Sequence, residues 1–281
     1  MATVCLAQNQ LAFRSSVELV VVPVTVMDRD GRAVEDLRRE EFQVYDNDVR
    51  RTIESFSVDD DQPLTVGVLI DESESQKDFA AEHRQTTAQL LERILRPGDR
   101  AFVVSVNEDA RLWADWKSLE REAGAPFGTP CPVSACGSSP LWNAIYDAAR
   151  GQFQPRSLNK ALILLTDGFD SGSTHTWRQA ADAAANANTR IYALQYRSAS
   201  GRDYAPDLYR LVADAGGAWF RERDADYRIL AERIETDLRH RYVLGFRPEE
   251  LSGKARHNIR VEVTRPELTV RARKTYVREG R

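Results

Sequence analysis

Two uninterrupted apolar segments constrain the fold of this chain more than any other feature. Residues 64–70 (L-T-V-G-V-L-I) and 161–166 (A-L-I-L-L-T) are each followed directly by an aspartate, Asp71 and Asp167. Apolar runs without polar alternation are typical of parallel strands that helices cover on both faces. If the two strands are neighbours, both carboxylates lie at the same edge of the sheet, where ligands bind in folds of this kind.

The chain around these runs alternates between strand-like and helix-like patterns, which predicts an α/β fold with a doubly wound, mostly parallel sheet flanked by helices. We assign this alternation to a domain over residues 63–240. Strands are predicted at residues 64–70, 101–106, 161–166, 191–196 and 218–221, and helices at 79–95, 140–153, 177–187, 207–215 and 225–240.

The two ends of the chain contain only strand-like patterns. Residues 13–62 alternate between short strands and turns, and an acidic segment closed by Pro63 separates them from the α/β domain. Residues 241–281 contain further strand-like runs, the last over residues 268–277, with no helix to cover them. We predict that the two ends pair with each other in a small β-sandwich annex.

Length and charge exclude several functions. The 281 residues are enough for one large domain with a smaller annex. The net charge is −4, from 39 basic and 43 acidic side chains, so charge gives no reason to expect a nucleic acid as partner. The apolar runs are shorter than the roughly 20 residues of a membrane-spanning helix, so we expect no membrane insertion by this chain.

The N-terminus and the cysteines bear on where the protein works. Residues 1–12 are expected to be either a disordered N-terminus or the remnant of a secretory signal, because the small residue Ala7 precedes a polar stretch. Cys131 and Cys136 lie in a short loop rich in turn residues, where an oxidising compartment would allow a local disulfide. We therefore expect export, to the periplasm, the cell surface or the medium.

Oxygen-bearing side chains follow the predicted strands at the turns that lead into helices. Carboxylate and hydroxyl oxygens suit Mg²⁺, and also Mn²⁺ or Ca²⁺, whereas zinc and copper favour nitrogen and sulfur ligands. The alternative is that the serines only cap the helices that follow them. The candidate metal ligands are Asp71, Ser73, Ser75, Ser139 and Asp167.

The stretch D-E-S-E-S, residues 71–75, resembles the D-x-S-x-S signature of von Willebrand factor type A (VWFA) domains, which carry a metal-ion-dependent adhesion site. Ser139, in G-S-S-P-L-W-N-A-I, aligns with the second element of that site, and Asp167, in T-D-G, aligns with the third. The resemblance covers roughly residues 64–240. The flanking strands resemble those of a bacterial, acidobacterial-type group of VWFA-related proteins, which are usually exported.

The resemblance implies adhesion chemistry and no catalysis. It implies that Ser73, Ser75 and Ser139 coordinate a divalent cation directly, and that Asp71 and Asp167 do so directly or through water. An open sixth position would take an Asp or Glu carboxylate of a partner protein, so that the metal bridges two proteins. Ser139 stands where the family usually has threonine, which keeps the hydroxyl.

Two other functions stay open at this point. The first is a structural or assembly module that has the VWFA fold but no working metal site. The second is a Mg²⁺-dependent phosphohydrolase, although Ser73 stands where that chemistry needs a second aspartate. The sequence also lacks a G-x-S-x-G motif and a glycine-rich phosphate loop, so we expect no enzyme activity.

The residues next to the candidate ligands have simpler expected roles. Glu72 and Glu74 alternate with the ligands of the first loop, and we expect both to point outward and make the rim of the site acidic. The segment D-S-G-S, residues 170–173, is expected to be a solvated loop that caps the helix starting at residue 177.

Overall fold

The computed structural model of the protein describes residues 19–59, 62–107, 111–114, 139–152, 159–198, 205–224, 226–248 and 255–278. Its strands are β1 (Val20–Met27), β2 (Phe42–Asp46), β3 (Val49–Arg51), β4 (Ile53–Asp59), β5 (Thr65–Asp71), β6 (Arg100–Val106), β7 (Arg111–Ala114), β8 (Lys160–Thr166), β9 (Thr189–Gln195), β10 (Trp219–Arg221), β11 (Arg241–Phe246), β12 (Ala255–Val263), β13 (Thr269–Arg271) and β14 (Thr275–Arg278). Its α-helices are α1 (Ala80–Ile94), α2 (Leu141–Asp147), α3 (Trp177–Asn186), α4 (Ala205–Asp214) and α5 (Tyr227–Arg239).

The central sheet has the strand order β10–β9–β8–β5–β6–β7. All its neighbouring strands are parallel except β6 and β7, which are antiparallel. Every residue of β5, β8 and β9 is buried, because helices cover both faces. This burial explains why the sequences of these strands are nearly continuous apolar runs. The predicted α/β fold with a mostly parallel sheet is confirmed.

The helices divide into two layers around this sheet. α2, α3 and α4 share one apolar core with the face of the sheet that carries Leu69 and Leu164. α1 and α5 share a second core with the opposite face, which carries Ile70 and Leu165. Asp71 ends β5 and Asp167 follows β8, so both candidate ligands lie at the carboxyl ends of parallel strands.

The strands from the two ends of the chain form two antiparallel sheets, with the orders β13–β1–β11–β4 and β14–β12–β2–β3. The N-terminal strands β1 and β2 therefore pair with the C-terminal strands β11 and β12. Residues Val24, Phe42, Tyr242 and Phe246 belong to the apolar core between the sheets. The sheets confirm a β annex built from both ends, while the residue boundaries of the domains stay a prediction.

The last strand-like run, residues 268–277, is divided between the two sheets of the annex as β13 and β14, so the prediction of one strand was wrong. Residues 272–274 turn toward the α/β domain between them. The Lys274 N–H donates to the Asp214 carbonyl at 3.0 Å, and Arg273 donates to the carbonyls of Ala185 and Val21. These contacts with distant residues decide where the run breaks.

Some predictions lie outside the described residues. They are the nature of residues 1–12 and the proposed pairing of Cys131 with Cys136. Within the part of the chain that the structure describes, no helix has both the length and the apolar character needed to cross a membrane.

Candidate metal-binding site

The candidate site lies where β5 and β8 end beside each other. The two strands are hydrogen-bonded neighbours with Ile70 opposite Leu165, so Asp71 and Asp167 leave the sheet at the same edge. Ser139 lies directly before α2, and its hydroxyl donates to Oδ1 of Asp71 at 3.3 Å. Three sequence elements that are far apart in the chain therefore meet at one point.

The carboxylate of Asp71 is 1% exposed and accepts three hydrogen bonds. Oδ1 accepts from the Ser73 N–H at 3.1 Å and from the Ser139 hydroxyl, and Oδ2 accepts from the Thr166 hydroxyl at 2.6 Å. Burial raises the pKa of Asp71 to about 6, and the nearby charge of Asp167 adds to the rise, although the hydrogen bonds from Ser73 and Thr166 oppose it. A cation at this position would favour the ionised form.

Thr166 is a member of the site that sequence reasoning missed. It is the last residue of β8, is fully buried, and both donates to Asp71 and accepts from the Gly168 N–H at 3.0 Å. Its hydroxyl thereby ties the end of β5 to the T-D-G turn after β8. The available signal was a polar residue at the end of an otherwise apolar strand, directly before Asp167.

Asp167 is 1% exposed, and its two carboxylate oxygens differ in their hydrogen bonding. Its Oδ1 accepts from the Phe169 N–H at 2.9 Å. Its Oδ2 is buried and has no hydrogen-bond partner among the described residues. A buried carboxylate oxygen without a partner is costly, and this one belongs to a side chain whose charge raises the pKa of the neighbouring buried carboxylate of Asp71.

The two serines of the first loop lie beside each other, with Ser73 Oγ and Ser75 Oγ 3.1 Å apart. Ser73 occupies the N-cap position of the 3-10 helix Glu74–Phe79, but its side chain makes no capping hydrogen bond. The buried amide of Gln76 holds the loop by donating to the carbonyls of Ser75 and Arg197, each at 3.1 Å. The capping alternative is therefore wrong for Ser73.

The expected outward orientation is wrong for Glu72. Glu72 is 4% exposed, and its carboxylate accepts from the Ser105 hydroxyl at 2.7 Å and from Arg84 at 3.4 Å. Glu74 is exposed as expected and pairs with Lys77. The difference arises because the backbone of Glu72 still follows β6, with its N–H bonded to the Val106 carbonyl, so its side chain enters the layer between β6 and α1.

We expect Glu72→Ala to lower the free energy of unfolding by about 2–3 kcal/mol, because it leaves Arg84 and Ser105 without their buried acceptor. Glu74→Ala is the matched control two residues away, with an expected change below about 0.5 kcal/mol for an exposed ion pair. Urea denaturation followed by circular dichroism measures both. Equal losses in the two variants would mean that the buried contacts of Glu72 are not formed in solution.

The loop after Asp167 caps a different helix from the one expected. Asp170 accepts from the Trp142 N–H at 3.1 Å, and Ser173 accepts from the Asn143 N–H at 3.2 Å, so both satisfy the start of α2. The cap of α3 is Thr176, in a capping box with Gln179. The expectation that residues 170–173 cap α3 was wrong. Contacts between segments that are distant in the chain place this loop beside the start of α2 instead.

One buried histidine contacts the backbone of the site at Asp71. His83 on α1 is fully buried, and its Nδ1 lies 3.2 Å from the Asp71 carbonyl. Burial lowers the pKa of His83 to about 3, despite the hydrogen bond to Asp71 that opposes the shift. The ring is therefore neutral near pH 7, and its Nδ1–H donates a hydrogen bond to the Asp71 carbonyl.

The donors at this edge fit a hard divalent cation. They comprise the carboxylates of Asp71 and Asp167 and the hydroxyls of Ser73, Ser75 and Ser139, and the structure places these side chains around one rim. Oxygen ligands of this kind suit Mg²⁺, Mn²⁺ and Ca²⁺. Among the described residues, no three His, Cys, Asp or Glu side chains are grouped so that they could hold a metal. A cation at this edge would therefore take hydroxyls as most of its protein ligands.

The order of the central sheet, the helices on both its faces and the loops at its carboxyl edge define a VWFA-type, Rossmann-like fold. Proximal thread matrix protein 1 from the mussel byssus, whose structure has a zinc-occupied MIDAS motif, is 16% identical with a TM-score of 0.52, over 69% of this chain and 49% of that one. Its likeness to this chain concerns the fold.

Two further solved structures are similar. BatB from Bacteroides thetaiotaomicron is 18% identical with a TM-score of 0.49, over 62% of this chain and 98% of that one. The ArnB paralog VWA2 from Sulfolobus acidocaldarius is 13% identical with a TM-score of 0.45, over 94% of this chain and 76% of that one. A scan against models of protein families and a search of the curated proteins found no match.

Proposed function

We propose that this protein is a non-enzymatic, protein-binding adhesion module that works through a divalent cation. Asp71, Ser73, Ser75, Ser139 and Asp167 would hold the cation, with Mg²⁺ as the first candidate and Mn²⁺ or Ca²⁺ as alternatives. The observation that carries the proposal is the unpartnered, buried Oδ2 of Asp167 beside the buried carboxylate of Asp71. Two buried carboxylates, one with an oxygen that has no hydrogen-bond partner among the described residues, are stabilised by a positive charge between them.

The small number of charged ligands supports a role in binding a partner. Two carboxylates only neutralise a divalent cation, and the remaining protein ligands are neutral hydroxyls. Such a cation keeps affinity for one more anionic oxygen, which an Asp or Glu side chain of a partner protein would supply. The D-x-S-x-S pattern of residues 71–75 and the zinc-occupied motif of the mussel protein agree with this proposal.

We further propose that the protein is exported. The proposed units are residues 1–12, the annex strands of 13–62 and 241–281, and the α/β domain of 63–240. The flanking strands resemble those of acidobacterial-type exported proteins, which supports export. A disulfide between Cys131 and Cys136 would fit an oxidising compartment.

Calorimetric titration of the metal-free protein with Mg²⁺, Mn²⁺ and Ca²⁺ tests the metal site. We expect one site in the wild type and a loss of affinity of at least about 100-fold in Asp167→Ala. Removing a metal ligand should weaken binding more than removing a residue that only orients a ligand. Glu74→Gln removes an exposed carboxylate of the same loop and should bind as the wild type does. Equal binding by all three proteins would place the cation elsewhere.

Selection of a displayed random-peptide library on the Mg²⁺-loaded protein tests the partner. We expect the selected peptides to share an Asp or Glu, to dissociate in EDTA, and to lose binding when that residue becomes Asn or Gln. Peptides that lack an acidic residue and bind equally in EDTA would refute the carboxylate bridge and favour the structural-module alternative.

A further inference from the structure

The junction between the α/β domain and the annex contains two buried arginines. Arg190, at the start of β9, is 5% exposed, and Arg273, between β13 and β14, is 8% exposed. Gly216 allows the two parts to meet closely, because a Cβ there would lie 2.5 Å from the Arg273 backbone nitrogen. Both guanidinium groups are therefore largely removed from solvent at this junction.

Gly216 has a φ of +75°, in the left-handed region that favours glycine. That conformation, together with the missing side chain, brings the backbone of residues 272–273 against the end of α4. Arg273 is largely buried at this contact.

Neither arginine has a carboxylate partner in the described part of the chain. Arg190 donates to the Thr25 hydroxyl at 2.9 Å and to the carbonyls of Asp237 (2.7 Å) and Pro23 (3.2 Å). Arg273 donates to the carbonyls of Ala185 and Val21. Within the described residues, no ion pair joins either guanidinium to an Asp or Glu, although buried charges are normally paired.

The acidic side chains nearest to the junction are already paired with other arginines. The Asp237 carboxylate binds Arg271 at 3.0 Å, and Asp214 binds Arg256 at 2.6 Å. The junction therefore holds more buried positive than negative charge. Burial lowers the pKa of Arg273 to about 10, which is consistent with a guanidinium that lacks an anionic partner.

A small pocket opens between the two arginines. Three of its lining residues carry a buried polar atom that has no hydrogen-bond partner among the described residues: Thr189 Oγ1, Asn188 Oδ1 and Arg273 Nε. Thr189 is 1% exposed, and the space in the pocket is about 10 Å³, enough for one water-sized particle. The lining residues are Pro23, Asn188, Thr189, Arg190, Ala215 and Arg273.

We propose that this pocket binds a monatomic halide anion, chloride in the cell, which joins the annex to the α/β domain. The Thr189 hydroxyl and the Arg273 Nε–H are donors, and a rotation of the Asn188 amide by 180° presents its NH₂ group in place of its oxygen. A water molecule would satisfy these donors, but only an anion also balances the two guanidinium charges.

Thermal unfolding in sodium chloride and in sodium gluconate at equal ionic strength tests the proposal. Gluconate is too large for the pocket and serves as the reference anion, and the comparison with a pocket variant separates anion binding from general salt effects. We expect chloride to raise the Tm of the wild type saturably, by about 3 °C at concentrations well above the dissociation constant. Thr189→Val, which keeps the side-chain shape, should lose most of that increment, whereas Thr236→Val on α5 should keep it.

Anomalous diffraction from crystals grown in sodium bromide gives a direct second readout. We expect one bromide peak within hydrogen-bonding distance of Thr189 Oγ1 and Arg273 Nε in the wild type, and none there in Thr189→Val. A water molecule at that position, with equal Tm values in chloride and gluconate, would overturn the proposal. Each variant is compared with its own value in gluconate, so a general loss of stability is not mistaken for a loss of anion binding.

Discussion

Asp71→Asn is expected to abolish cation binding and yet to stabilise the metal-free protein by about 3 kcal/mol at pH 8. Burial raises the pKa of Asp71 from 3.8 to about 6, so the ionised carboxylate is disfavoured in the folded state. Asparagine fills the same space without a charge and still offers one oxygen to the Ser73 N–H. The ionised carboxylate would thus lower the stability of the metal-free protein and also supply the charge that attracts a cation.

The sign of the pH dependence follows from the direction of the shift. Because the pKa of Asp71 is higher in the folded state, the folded protein binds more protons between about pH 4 and 6, and this contribution to stability is lost as the pH rises through that window. His83 acts in the opposite direction, since its folded pKa of about 3 lies below the usual 6.5 and its contribution is lost as the pH falls.

The two groups therefore oppose each other between about pH 4 and 6 in the wild type. Asp71→Asn removes one of them, so the stability of the metal-free variant should rise with pH across this range. Urea denaturation of the metal-free proteins at several pH values from 4 to 8 measures this. Glu74→Gln is the control for the loss of one exposed charge, and a variant that is less stable than the wild type at pH 8 would contradict the prediction.

Asp237→Ala is expected to lower the free energy of unfolding by about 3–5 kcal/mol, the usual cost of removing one partner of a buried ion pair. Asp237 on α5 is fully buried, binds Arg271 of the annex at 3.0 Å and accepts from the Tyr192 hydroxyl at 3.1 Å. The substitution leaves that arginine and that hydroxyl without their partner at the junction of the two domains.

Glu232→Ala on the same helix is the matched control for Asp237→Ala. Glu232 pairs with Arg93 at 3.4 Å, but its side chain is 67% exposed, so we expect a loss below about 1 kcal/mol. Urea denaturation followed by both tryptophan fluorescence and circular dichroism compares the two. Comparable losses in both variants would mean that Asp237 does not hold the α/β domain and the annex together.

The sequence predicted the elements whose signal is local. β5 and β8 are buried on both faces, and their continuous apolar sequences indicate this burial. The aspartates after them mark the carboxyl edge of the sheet, where ligands bind in such folds. Asp71 and Asp167 could therefore be placed at one edge of the sheet from the sequence, on the condition that their strands are neighbours, and β5 and β8 are neighbours.

Contacts between distant segments could not be predicted in the same way. Glu72 and Glu74 occupy equivalent positions in D-E-S-E-S, yet one is buried against Ser105 and Arg84 and the other is exposed. Thr166 donates to a carboxylate that precedes it by 95 residues. A sequence pattern contains the polarity of a side chain, but it does not contain the neighbour that the fold brings to it.

The sequence by itself determined the α/β class, the β character of both ends and the oxygen donors of the candidate site, because period, polarity and turn residues act over a few neighbouring positions. The tertiary structure alone decided that β5 lies beside β8, that residues 268–277 divide between two sheets, and that Arg190 and Arg273 share one pocket. These outcomes depend on long-range packing, where hydrogen bonds and charges are satisfied by residues far away in the chain.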